Sequence, residues 1–185
     1  MGEQHKKHSR REHLNDFHLN VAGEYVYDGA LYACQNDDAK QRRSKRAVWG
    51  MAAILTVAVA AGGCIPAPGM QNCFYVLLPY LGEFLGTASV IWALAKLGMD
   101  WGTVREYNYK KSVAVLPMRT AVTAVFSGLG IVCELIFFFV NDHAGQTFFA
   151  LLYVLLKLIA LLSVLVLRAE IMQAEWDKLP KKNNF

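Results

Sequence analysis

TFFALLYVLLKLIALLSVLVL, residues 147–167, is apolar on every side and carries one charge, Lys157. A helix rising about 1.5 Å per residue needs about 20 residues to cross roughly 30 Å of bilayer hydrocarbon, and this stretch is that long. It has no single apolar stripe, so in a soluble protein it would have to be surrounded, and a chain of 185 residues is too small to surround it. Lipid admits only helices or closed barrels, and the stretch lacks the two-residue alternation of barrel strands. It reads as a transmembrane helix.

The blocks 47–65, 74–97 and 119–140 have the same character, and with 147–168 they make a four-helix transmembrane domain over 47–168. The expected fold is an all-α integral membrane protein built from two helical hairpins. Composition agrees, since 55% hydrophobic and 18% charged residues are an unusual balance for a soluble domain.

The basic residues decide orientation. Nine Lys or Arg precede residue 47, five lie between Lys96 and Arg119, and four lie from Arg168 onward, whereas the connections 63–73 and 141–146 carry none. By the positive-inside rule both termini are expected in the cytoplasm, N-in and C-in, with the protein in the cell membrane. The net charge of +4 is then topological, and no nucleic-acid partner is read from it.

Residues 1–46 are expected to form a polar, basic and His-rich cytoplasmic tail. His5, His8, His13 and His18 are interleaved with Lys and Arg, which repel a cation, and no Cys joins them, so no metal site is read. Tyr25, Tyr27, Leu31 and Tyr32 cluster as headgroup-zone residues do, which predicts a short interfacial helix. Lys40, Arg42, Arg43, Lys45 and Arg46 follow at the mouth of the first block. They fix topology and suit anionic headgroups, at about 1 kcal/mol each near the surface, which makes membrane lipids expected partners. The 46 residues before the first apolar block are too many for a cleavable leader. At the other end, 169–185 is expected as a second cytoplasmic tail, helical at first and stopped by Pro180.

Three ionisable residues lie deep in the blocks: Glu83, Glu134 and Lys157. Glu83 follows Phe74 by nine residues and Lys157 follows Thr147 by ten, which places both about 14–15 Å from the same end of the bundle; Glu134, six before Val140, lies about 9 Å down. Intramembrane charges face the protein interior or a water cavity, and their functional use is the default expectation. Small and polar neighbours support an inward direction: Tyr80, Gly82, Gly86 and Thr87 around Glu83, Ser127 and Gly130 before Glu134, and Tyr153 one turn before Lys157. Gly82 and Gly86 form a GxxxG pair that lets another helix approach.

Two carboxylates and one ammonium leave one negative charge, where a proton or a cation could enter, so a proton, an ion or a small molecule is the expected substrate. A small transporter, or the membrane subunit of a transport complex, is therefore one expected function, as a homodimer or in a larger assembly. The alternative is a non-catalytic membrane scaffold in which the charges only fix helix register. No phosphate-binding glycine loop, hydrolase constellation or HExxH motif occurs, so no catalytic residue, enzyme activity or cofactor is read. Cys64 and Cys73 flank the connection after the first block, where an oxidising compartment would allow a disulfide.

Overall fold

The computed structural model describes residues 17–19, 23, 25–27, 29–98, 101–141 and 147–179. His5, His8, His13, His143 and the end of the chain from Pro180 lie outside the described residues. In chain order the elements are β1 (Phe17–Leu19), β2 (Tyr25–Tyr27), β3 (Leu31–Cys34), α1 (Asp38–Cys64), α2 (Pro68–Asn72), α3 (Phe74–Leu97), β4 (Thr103–Arg105), α4 (Glu106–Lys111), α5 (Leu116–Val140), α6 (Thr147–Met172) and β5 (Trp176–Lys178). Helices α1, α3, α5 and α6 are long and apolar enough to cross a membrane.

Local chemistry sets their ends. Helix α1 starts well before the expected residue 47, with Asp38 in its first turn, where a carboxylate complements the helix dipole. The basic run is thus wound into the opening turns of α1. Pro117 sits at the start of α5, where its missing N–H leaves no helical bond unmade. Helix α3 continues through Pro79 and stops at Gly98, whose φ of +72° lies in the region that favours glycine.

Helix α6 packs along both α1 and α5, α5 packs along α3, and α1 meets α3 more lightly, so α3 and α6 are the diagonal pair of the bundle. Outward-facing surfaces carry Val57, Leu85, Phe139, Leu162 and many other exposed large apolar side chains. That much exposed apolar surface is what lipid covers, not water. Inside, Leu55, Ala58, Val59, Ala160 and Val164 form one cluster, and a larger one joins Val48, Val90, Leu94 and Leu167 to Trp101 and Val104.

That larger cluster continues into a small sheet, which the expectation of an all-α fold did not include. Strand β3 is central and pairs antiparallel with β4 and β5, Tyr32 standing opposite both Val104 and Lys178. Tyr32 stacks on Tyr109 with ring centroids 4.1 Å apart, and Trp176 packs against Trp101 and Tyr109 at 6.2 and 6.0 Å. A second antiparallel pair joins β1 to β2. The interfacial helix expected around Tyr25–Tyr32 is therefore replaced by strands. The stretch is rich in β-prone Tyr, Val and Leu, and its partners come from the α3–α5 connection and the segment after α6. The latter segment is helical only at its start, as α6 runs on to Met172, and β5 follows.

At the opposite end of the bundle, the expected Cys64–Cys73 disulfide is not formed, and both thiols are free. The connection is held another way. Its residues Ala67, Pro68 and Gly69 are buried, folding inward as the start of α2 to pack between the helix ends.

Candidate functional site

Glu83 and Lys157 meet across the diagonal of the bundle. Lys157 Nζ donates to Glu83 Oε2 in a direct ion pair, with the two side chains 3% and 0% exposed. Glu83 Oε1 accepts from Ser127 Oγ at 2.7 Å, so both carboxylate oxygens are engaged. The lysine stem crosses α5 at Gly130, where a Cβ would stand 3.5 Å from Lys157 Cε. The stem passes α5 there at ordinary van der Waals distance.

Two aromatic faces complete the ammonium's surroundings. Lys157 Nζ lies 4.7 Å from the Tyr80 ring centroid and 5.2 Å from that of Tyr153, within cation–π range. The Tyr80 hydroxyl reaches α1, donating to the Val59 carbonyl at 3.4 Å. Through Lys157, Glu83, Ser127 and Tyr80, one polar knot touches all four long helices.

Glu134 is placed differently. It lies on the face of α5 that holds Ser127 and Gly130, one turn beyond Gly130 toward the inward-folded connection, which is about 6 Å along the axis. The side chain is 0% exposed, yet neither carboxylate oxygen has a hydrogen-bond partner among the described residues. The Gly69 backbone N–H approaches it without reaching hydrogen-bond geometry. Gly69 fits closely: a Cβ there would stand 2.1 Å from Glu134 Oε2. The hydroxyl of Tyr153 and Thr87 Oγ1 are likewise buried without a partner.

Of the residues named from the sequence, Glu83 and Lys157 form the ion pair, Ser127, Gly130, Tyr80 and Tyr153 surround it, and Glu134 stands beside it without a hydrogen-bond partner among the described residues. Gly82 and Gly86 do face α5, since a Cβ on Gly82 would meet the Phe126 ring at 2.5 Å and one on Gly86 would meet Thr123 Oγ1 at 2.6 Å. Lys40, Arg42, Arg43, Lys45 and Arg46 lie in the opening turns of α1, remote from the knot in the chain's fold. Gly69 and Thr123 were not read from the sequence. Thr123 could have been, because Thr120, Thr123, Ser127, Gly130 and Glu134 repeat at the three- and four-residue spacing of one helix face, and all are buried. Gly69 had only its place after Pro68 to mark it.

Compared with protein-family models, curated proteins and solved structures, the chain matches none of them. The chain is a four-helix bundle of membrane-spanning length, with a buried Glu–Lys pair and a second buried carboxylate beside it.

Proposed function

We propose that this is a small multi-pass membrane protein, both termini in the cytoplasm, that transports a proton or small cation or serves as the membrane subunit of a complex that does. The observation that carries the reading is Glu134, a fully buried carboxyl with no hydrogen-bond partner among the described residues. A carboxylate buried among helices is far from its preferred solvent unless something positive joins it, and Lys157 is already committed to Glu83. Glu134 is then the group that takes up and gives back a positive charge, with Tyr153 and the ion pair lining its surroundings. Orientation rests on the basic residues, which gather at the ends of α1 and α6 and in the α3–α5 connection.

Chemically, the Lys157–Glu83 pair fixes the positions of four helices and Glu134 exchanges the charge. The test is flux in proteoliposomes under a proton or cation gradient. Flux that falls about tenfold or more in Glu134→Gln, with the folded protein still recovered, supports the proposal; unchanged flux in Glu134→Gln for every cation tried, protons included, rejects it.

A second reading, the non-transporting scaffold, is favoured by the direct contact of Lys157 with Glu83 in a closed core, which is what a packing role alone would require. It expects no flux at all and a partner protein that co-purifies and is lost when residues 1–40 are removed.

A further inference from the structure

The opening turns of α1 hold a second candidate site, independent of Glu134 and resting only on the chain's lying in a membrane. Arg42, Lys45, Arg46 and Trp49 line a cleft of about 380 Å³. Their spacing puts them on one side of the helix, since Arg42, Arg46 and Trp49 follow one another at four and three residues. No acidic side chain lines this cleft, and none of its three cations has a salt-bridge partner among the described residues. The nearby carboxylate on α6, Glu170, is taken by Ser44 at 2.8 Å. Trp49 is half-buried, and its indole N–H has no acceptor among the described residues.

What such a cleft accepts is an anion, and its position in the fold narrows the kind. It lies at the basic mouth of a helix whose following turns are apolar and outward-facing: Ala53 is exposed and Val57 is 67% exposed, four and eight residues beyond Trp49. A phosphate held by Arg42, Lys45 and Arg46 would have its acyl chains continue along Ala53 and Val57, with the Trp49 ring at the depth between head and tail that tryptophan favours. A neighbouring cleft on the same turns is lined by Asp38, Ala39, Arg42, Arg43 and Arg46. Asp38 makes that one the poorer host for an anion.

We infer that the cleft of Arg42, Lys45, Arg46 and Trp49 binds the phosphate headgroup of an acidic phospholipid. The test uses the full chain in neutral detergent with defined phosphatidic acid, phosphatidylcholine or inorganic phosphate added, and native mass spectrometry reads the bound species. Phosphatidic acid should be retained over phosphatidylcholine. Each of Arg42→Gln and Arg46→Gln should lower its occupancy about fivefold, whereas Arg42→Lys and Lys45→Arg, which keep the charge, should lower it much less. Arg43→Gln, outside the cleft, should leave it near the unsubstituted level. Thermal unfolding of each variant separates lost binding from lost fold, and the charge-keeping variants carry the test if a glutamine variant fails to fold. Equal retention of the neutral lipid overturns the inference, as does an equal loss in Arg43→Gln, which would mark a diffuse field. Displacement by inorganic phosphate at concentrations comparable to the lipid's would assign the cleft to a soluble phosphate instead and equally overturn it.

Discussion

Lys157 on α6 and Glu83 on α3 are diagonal partners, and α5 lies between them; the lysine stem passes Gly130 to reach one carboxylate oxygen, and Ser127 of α5 holds the other. One contact thereby ties together helices that otherwise scarcely touch.

Breaking that contact from one side leaves a charge buried without its partner. Glu83→Gln and Lys157→Met should each lower stability by about 3 kcal/mol, while the double variant should cost less than their sum by about 2 kcal/mol or more. Thermal or denaturant unfolding in a fixed detergent checks this. Additive losses would mean that the two groups do not depend on one another.

Any side chain at Gly69 is predicted to displace the Glu134 carboxyl. A Cβ there would stand 2.1 Å from Glu134 Oε2 and 3.2 Å from the Phe137 ring, so the carboxyl must turn away and the ring give slightly. Gly69→Ala should cost about 1–3 kcal/mol, and Glu134→Ala in the same chain should recover part of that loss by opening space. A Gly69→Ala protein as stable as the original would contradict the seating of the connection on Glu134.

The four spanning helices were legible in the sequence because continuous apolar runs of about 20 residues admit few other readings. The sheet was not, for a definite reason. Tyr32 finds Val104 some 70 positions away and Lys178 farther still, and no local pattern in a three- or four-residue strand announces partners so distant. The same limit applies at the site. Glu83, Glu134 and Lys157 stand out singly as charges in apolar runs, but which carboxylate takes the lysine follows from how the helices pack, with Ser127 of a third helix bonded to Glu83. Gly69 matters through a contact that only the folded connection creates.

The aromatic packing against the sheet should be a large contributor to its stability. Trp176 touches Trp101 and Tyr109, and Tyr109 stacks on Tyr32, so Trp176→Ala should destabilise that end by about 3 kcal/mol, with amide exchange rising first in β3 and β5. Unchanged protection in β3 would show that the helices alone order the sheet.

On the surface, Lys110 bonds Glu106 at 2.6 Å and holds its carboxyl below the ordinary carboxylate range. A carboxyl lowered on folding stabilises the fold at neutral pH and loses that contribution as pH falls through the carboxylate range. The pair is solvent-exposed, so Lys110→Ala should change stability by less than about 0.5 kcal/mol while the Glu106 titration moves upward, as NMR would detect.

On the proposed reading the two carboxyls divide the labour: Glu83 is held by Lys157 and Ser127, and Glu134 exchanges a positive charge. Hydrophobic carbodiimides react with carboxyl groups that carry a proton and spare those held as carboxylates, so their adduct, located by peptide mass spectrometry of the protein in membranes, distinguishes the two. Modification is expected at Glu134, with Glu83 spared until Lys157→Met releases it. Modification of Glu83 in the unsubstituted protein, with Glu134 untouched, would contradict it.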